Sequence, residues 1–576
     1  MLYFIITWTF LIIVCCLIGT TLLNVLKADS FERVGDRIIA AVWLGVVVLS
    51  ISLLATSLVL PLSSLVGGVI TVSISLFSLL SQRTRSQMIA LKSLLPPNLI
   101  LGFFTLEFAI ATLTTRPVTW FDTGLYHYGA IQWLSEFGAV PGIALLRINF
   151  GYTSSWFALA APLNAEIFDS RVSAVTNGFA FVIAMLHFLI SLGHSFTSKA
   201  QLGDWLVVIF SLMVMPLIFT ANMMSQILVS PSPDFPVIFF TEVVAWSILI
   251  VSNRRTPSLY EVVNPIVDGG QIIPLILSAG AVTIKLTTLP LLFISSLFYI
   301  FGRGFNVRRV LIGSVTSILL LSPMFAFGIV TSGCPLYPSS FLCLDLPWSL
   351  TAQESETVAE MTRGWGTWYG SPPPNAISGL WLLWQWFSSI KSNKVITLLI
   401  VISTLSAIPI VRTLTTSRIS GQLWVLALGV LGITFMMLQS PHLRFGLGYL
   451  VLLPALSIAI YCKIKFRNIL SSLVHRSTFY AYLKSRKVML AASFLAALTI
   501  IISVDNGVQS RLLLPPQLPR VELLNKTVND VTYFAPNNPP PGLCWAAKLP
   551  CALYPEKDIK LRDPARGIKA GFVRKK

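Results

Sequence analysis

The stretch Trp120-Phe121-Asp122-Thr123-Gly124-Leu125-Tyr126-His127 collects an acid, an imidazole and aromatic rings where apolar sequence gives way to polar sequence. A carboxylate held at such a boundary can take a proton from a hydroxyl as that hydroxyl attacks. It can equally cap a helix, accepting bonds from the first backbone N–H groups and contributing about 1 kcal/mol. Spacing alone leaves both roles open for Asp122. Three further stretches have the same character: Ser232-Pro233-Asp234-Phe235-Pro236, the apolar Ala281-Val-Thr283-Ile-Lys285-Leu-Thr287, and Ser440-Pro441-His442-Leu443-Arg444-Phe445. Each charge has an ordinary reading. Asp234 fits a helix N-cap, Lys285 fits a side chain that snorkels to water, and Arg444 fits a partner for a lipid headgroup. His127 and His442 fit hydrogen-bonded structural residues as well as ligand contacts.

The elements that must position these residues follow from composition. The chain has 576 residues, 55% hydrophobic and 11% charged, with mean hydropathy +0.78. Soluble domains carry about 25% charged residues, so this is an integral membrane protein. Continuous apolar runs of roughly 17–25 residues are long enough to cross the hydrocarbon core as helices, and they lack the alternation of a barrel. The first, from Leu2 to Leu26, has neither a basic leader nor a small-residue cleavage site and reads as a retained helix.

The net charge of +18 would suit nucleic acid, but its placement excludes that class. Basic residues cluster in short loops between apolar runs: Lys27/Arg33/Arg37, Arg83/Arg85/Lys92, Arg254/Arg255, Arg303/Arg308/Arg309, Arg412/Arg418 and the run from Lys463 to Lys487. That is the positive-inside pattern of cytoplasmic loops. Spans are expected near 3–26, 38–60, 62–80, 94–114, 173–194, 205–222, 235–251, 271–285, 287–302, 310–330, 394–411, 421–438, 446–462 and 488–504. The fold class is an all-α polytopic membrane protein of about fourteen transmembrane helices. Keeping the basic loops on one side forces 271–302 to be a hairpin of two short helices with Lys285-Leu286-Thr287-Thr288 at its outer tip. Segments 115–172, 223–234, 331–393, 439–446 and 505–576 are then external. No internal repeat stands out, and no inverted pair of broken helices of the kind common in transporters.

Within 115–172, Tyr126, Ala130, Trp133 and Phe137 share one helical face, which suits a helix lying along the membrane surface. Gly138 to Gly142 ends it, and a second helix starts at Thr153 or Ser154 and runs to Ala161. The Trp381-Leu-Leu-Trp384-Gln-Trp386 run reads as an interfacial anchor. Cys15, Cys16 and Cys462 fall within spans, whereas Cys334, Cys343, Cys544 and Cys551 all fall in external segments. An oxidising compartment would let the latter pair. Three connectivities are possible, with the local pairs Cys334–Cys343 and Cys544–Cys551 expected. The tail after Val504 is Pro-rich and basic, and a Cys544–Cys551 pair would make part of it a small folded cap.

An acid early in the first large external loop, followed by surface helices, resembles the GT-C superfamily of polyprenyl-phosphate-sugar-dependent glycosyltransferases. The Asp234 stretch, the Thr283/Lys285 segment, similar to that of the mannosyltransferase-like branch, and the short late loop with His442 and Arg444 extend the resemblance over roughly 94–462. Asp122-x-Gly-x-Tyr-His127, Gly333-Cys-Pro-Leu-Tyr-Pro338 and Cys544-Trp…Pro550-Cys551 are also similar to a group of uncharacterised bacterial multi-span proteins. The resemblance divides the chain into extra N-terminal helices (1–93), a GT-C-like core (94–462), a basic loop and last helix (463–504) and an external Cys-containing tail (505–576). The family departs here in two ways: helices precede its usual first one, and no Asp-x-Asp pair follows Asp122.

The resemblance implies transfer of a sugar from a lipid phosphate to a glycan, lipid or protein acceptor at the external face of a bacterial plasma membrane. Asp122 would be the general base. Lys285, Arg444 and Arg147 would hold the leaving phosphate, arginine bidentately and lysine as a point charge. Trp120, Tyr126, Tyr337, Trp365 and Trp368 would stack on sugar. Tyr126, His127, Asp234 and His442 complete the expected substrate contacts. No cofactor is implied, and a divalent cation lacks a paired acidic motif. No Cys/His cluster has metal-site spacing and no Gly-rich phosphate loop occurs, which argues against a nucleotide-sugar donor. Glu107 and Glu242, within or near spans, receive no role. The other classes that fit the sequence are a transporter or flippase for a lipid-linked glycan, a non-catalytic component of envelope polysaccharide assembly, and an O-antigen polymerase- or ligase-like enzyme.

Overall fold

The structure is a computed structural model. It describes the chain except residues 94–95, 198–199, 254–268, 303, 370–377, 415–420, 474–506, 538–541 and 576. Among the described residues, nine helices are long and apolar enough to cross a membrane, ten if the bent pair Ser64–Leu79 and Gln82–Ser93 counts as one span. The protein is an all-α polytopic membrane protein in its bundle. Leu99–Thr114, Gly269–Ile284 and Leu286–Phe301 are apolar but shorter. The expected span at 488–504 lies outside the described residues, as do Arg254, Arg255, Arg303 and Arg418.

Burial separates the centre of the bundle from its rim. The Asp234–Ser252 helix is 94% buried over its most apolar window, whereas Val307–Ser332 and Lys391–Arg412 are 22% buried. A helix apolar on all sides and enclosed by others is the axis of a core, and helices with large exposed apolar faces are those turned to lipid. The first two helices, Leu2–Val25 and Val34–Ser57, cross at glycines. A Cβ on Gly19 would lie 1.8 Å from the Ala41 carbonyl oxygen, and one on Gly45 would lie 2.0 Å from that of Cys15. Without a hydrophobic drive between helices in lipid, such backbone approach supplies the contact.

The bundle has two distinct ends. At one lie Arg33, Arg37, Arg83, Arg85 and Arg308, around the starts of Val34–Ser57, Gln82–Ser93 and Val307–Ser332. At the other, the 115–172 segment is stitched to helix ends. The Ala139 N–H donates to the Ser57 carbonyl at 2.7 Å, that of Leu62 to Leu134 at 2.8 Å, and that of Gly142 to Val330 at 3.0 Å. The short helices Ile273–Ile284 and Leu289–Phe301 form an antiparallel hairpin. The Ser278 and Ser295 hydroxyls meet across it at 2.7 Å, and Lys285 with the 3-10 turn Leu286–Thr288 forms its tip.

The tail is a β-rich cap. Strands β1 (Leu523–Val528) and β2 (Val531–Pro536) form an antiparallel hairpin, as do β3 (Ile559–Leu561) and β4 (Phe572–Arg574). Disulfides join Cys544 to Cys551 and Cys334 to Cys343. The Tyr128–Glu136 helix, expected on the membrane surface, turns Trp133 into protein instead. That side chain is 2% exposed and faces Phe150 at 6.5 Å and Phe572 of β4 at 6.3 Å. The second expected helix of the segment is present as Ser155–Ala160, with the Ser154 hydroxyl as its N-cap.

Candidate functional site

Four charged side chains from four parts of the chain meet at the end away from the basic loops. Asp234 opens its helix, Lys285 sits at the break of the hairpin, and Arg444 is in the first turn of Leu443–Leu473. Asp122 precedes a five-residue π-helical turn, Thr123–His127. The Lys285 ammonium pairs with Asp234. Arg444 Nη1 lies 2.5 Å from Asp122 Oδ2 and 3.6 Å from Asp234 Oδ2. The order Lys285–Asp234–Arg444–Asp122 alternates in sign and sums to zero charge. The Ser232 hydroxyl donates to Asp234 at 3.2 Å.

Aromatic rings frame the cations. The Arg444 guanidinium carbon lies 4.6 Å from the Phe445 ring centre, 5.1 Å from Trp120 and 5.4 Å from Trp365. Lys285 Nζ is 4.2 Å from Phe445. Such contacts hold a partly desolvated cation in place. Exposure is graded. The side chains of Lys285 and Asp122 are 21% and 13% exposed, those of Arg444 and Asp234 7% and 2%. Lys285 and Asp122 are therefore the more accessible members of the chain, and Asp234 is the most deeply buried.

Both histidines belong to this cluster and both are neutral near pH 7. Burial pushes His127 down to about 4. Burial, and then the charge of Arg444, pushes His442 down to about 3. His442 lies nearly parallel to Trp365, with centroids 6.1 Å apart. Its Nδ1 accepts from the Arg444 N–H at 3.4 Å. His127 meets Tyr126 edge-on at 4.4 Å. Tyr126 itself is held far above the usual phenol range by burial and by the Asp122 charge.

Structure decides one reading left open and corrects two expectations. Asp122 makes no side-chain capping bond, because the helical turn already includes Phe121, so its carboxylate is left for Arg444. Arg147 is not in the cluster: it is buried against the tail, donating to the Gly542 carbonyl at 2.6 Å and to Cys544 Sγ at 3.1 Å. Burial lowers it to about 10, still cationic at neutral pH. Tyr337 is also turned inward. Its hydroxyl donates to the Ile148 carbonyl at 3.0 Å and its ring backs Tyr152 at 5.4 Å, so no face is left open for a sugar. The Trp381–Trp386 stretch, within the Gly379–Ser389 helix, leaves Trp384 62% exposed.

Several positioning residues carry no sequence signal of their own. The Asn177 amide donates to the carbonyls of Ile227 and Ser232 at 2.9 and 3.0 Å, fixing the turn before Asp234. Its oxygen accepts from Trp156 at 2.8 Å. The Ser154 hydroxyl donates to the Ile284 carbonyl at 2.9 Å and Ser155 meets Thr283 at 2.9 Å. Tyr449 donates to the Thr287 carbonyl at 3.1 Å. Lys285 is thus clamped from both sides.

Other ionisable groups stand apart. Glu107 accepts from Thr9 at 2.9 Å. Glu242 lies 3.2 Å from His187 Nδ1, with both side chains enclosed. Among the described residues one group, Asp36, His194 and Asp204, could bring metal ligands together. The Arg33 guanidinium already occupies it, 2.6 Å from Asp36 and 2.7 Å from Asp204.

A family model described as a domain of unknown function, DUF8201, matches residues 1–451. The chain belongs to the DUF8201 family. The DUF8201 match takes in the first helices together with Asp122, Asp234, Lys285 and Arg444, and stops before the tail cap. No curated protein and no solved structure matches the chain.

Proposed function

We propose that the protein is a membrane glycosyltransferase of GT-C type. It would move a sugar from a polyprenyl-phosphate donor to a glycan, lipid or protein acceptor at the outer face of a bacterial plasma membrane. The observation that carries this reading is the Lys285–Asp234–Arg444–Asp122 chain, framed by aromatic rings. It supplies two cations for a phosphate and one partly exposed carboxylate, Asp122.

In this reaction the donor phosphate displaces carboxylate oxygens from Lys285 and Arg444. Asp122, released from Arg444, then accepts the acceptor hydroxyl proton. The acceptor oxygen bonds to the anomeric carbon as the bond from that carbon to the phosphate oxygen breaks. The electron pair leaves with the phosphate, whose added charge the two cations hold. Tyr126 and the neutral His127 and His442 offer hydrogen-bonding without further charge. The test is transfer from radiolabelled polyprenyl-phosphate sugars by the purified protein in nanodiscs. Asp122→Asn should abolish transfer and leave insertion intact; full activity in that variant refutes the base assignment.

One observation favours the transporter or flippase reading. The enclosed His187–Glu242 pair lies inside the bundle, where ionisable groups are costly and commonly functional. Loss of lipid-glycan translocation in Glu242→Gln, with no sugar transfer by the unmodified protein, would select it.

A further inference from the structure

The Asp122 turn is not held by the membrane bundle alone. Cys544 and Trp545 of the tail cap both donate their backbone N–H groups to the Gly124 carbonyl, at 2.8 and 3.0 Å. The Trp545 indole then lies flat against Gly124. A Cβ on that glycine would stand 2.6 Å from Trp545 Cε2 and 2.7 Å from Cδ2, so any side chain there displaces the ring. Trp545 is 8% exposed and belongs to the same buried apolar cluster as Val118 and Tyr128, which flank the turn in sequence.

Trp545 is itself kept in an unfavourable backbone state, with φ at 47°. Bulky residues persist in the left-handed region only where their surroundings over-determine them. The surroundings here are tied at several points. The Cys544–Cys551 disulfide closes the loop, Arg147 ties Gly542 and Cys544 to the first external segment, and the Glu556 and Phe572 N–H groups donate to Leu145 and Pro141, each at 2.9 Å. The turn it meets is π-helical, a rare form found as short insertions, commonly at functional sites. Two residues before Gly124 stands Asp122, 2.5 Å from Arg444.

We propose that Trp545 is a positioning residue: the cap, by seating this indole and two amides on Gly124, sets the π-helical turn that aims Asp122. This inference rests on the reading of Asp122 as the base. It assigns a catalytic contribution to a part of the chain outside the DUF8201 match.

The test uses the full-length protein in nanodiscs with three variants: Trp545→Ala, Trp545→Phe and Gly124→Ala. Two readouts are taken, hydrogen exchange by mass spectrometry of peptides covering 119–130, and single-substrate kinetics of sugar transfer. Trp545→Ala and Gly124→Ala should each speed exchange at 121–128 while leaving the Asp234–Ser252 helix unchanged. Both should lower kcat on the order of 100-fold, the scale expected for a reacting group moved by about 1 Å. Donor KM should change far less than kcat, because Lys285 and Arg444 are carried by other elements and keep their places when the turn shifts. Trp545→Phe, which keeps a flat ring on Gly124, should restore slow exchange and most of kcat.

Exchange at 121–128 unchanged in Trp545→Ala, or a KM rise with kcat preserved, overturns the proposal. So does a Trp545→Phe variant no better than Trp545→Ala. If the unmodified protein transfers no sugar, the transferase reading falls, and the exchange experiment still decides whether the cap holds the turn.

Discussion

Replacing Arg444 is the sharpest probe of the charged chain, because it touches both acids. Arg444→Gln removes the cation 2.5 Å from Asp122 and 3.6 Å from Asp234. Breaking a buried ion pair by deleting one partner costs about 3–5 kcal/mol, since a charge is left uncompensated. The lower end applies: Asp122 is 13% exposed and can recruit water, and Asp234 keeps Lys285. Asp122→Asn leaves Arg444 beside Asp234 and should cost less, on the order of 1–2 kcal/mol. In Asp122→Asn/Arg444→Gln both charges of the pair are gone, and the double variant should be more stable than the sum of the singles by about 0.5–3 kcal/mol. Unfolding in SDS-titrated mixed micelles, followed by tryptophan fluorescence, measures all three. The same variants separate folding from function. A charge-assisted hydrogen bond contributes about 1.5–3 kcal/mol, so Arg444→Gln should weaken binding of a polyprenyl monophosphate by about 10–150-fold. Strict additivity in the cycle would show that the pair is not coupled. An unchanged Kd would show that Arg444 does not hold phosphate.

Lys285→Ala should raise donor KM by roughly tenfold, as loss of one partly exposed cation removes about 1.4 kcal/mol, while Lys285→Arg should retain most binding; an unchanged donor KM retires the role. His127 is held at about 4 against an ordinary 6.5, so its neutral form is favoured in the fold. Its contribution is complete above pH 6.5 and is lost as pH falls from there toward 4, in total ~3 kcal/mol. His127→Phe should therefore flatten the acid limb of a stability-versus-pH curve between those values. An acid limb identical to that of the unmodified protein would refute this.

Among the described residues, nine of the expected spans were legible because continuous apolar runs announce themselves, and the hairpin at 271–302 because charge parity demanded it. The four cluster members were legible for a related reason: each is a charge next to the end of an apolar run. Their pairing was not, since Asp122 and Arg444 are 322 residues apart and an acid before a helix looks the same whether it caps or binds a cation. Arg147 was misplaced because nothing local shows that Gly542 and Cys544 arrive to bury it. The face carrying Trp133 reads as lipid-facing until β4 delivers Phe572. A signal for the cap was nonetheless present: Thr527-Val528 and Val531-Thr532-Tyr533-Phe534 are β-branched and aromatic residues on either side of Asn529-Asp530, a strand-turn-strand pattern that the surrounding prolines and basic residues obscured.

The hairpin that carries Lys285 has a consequence for the bilayer. Twelve helical residues from Ile273 to Ile284 rise roughly 18 Å, at 1.5 Å each. A hydrocarbon layer is about 30 Å thick. All twelve of these residues are buried among other helices, so the shortfall is not met by thinning lipid around them but by a Lys285 tip set in a notch below the rim of taller neighbours. In the proposed reaction an anionic headgroup would then reach that ammonium while its acyl or prenyl chain stays submerged, and a lipid-borne phosphate would not have to be lifted out of the leaflet to be grasped.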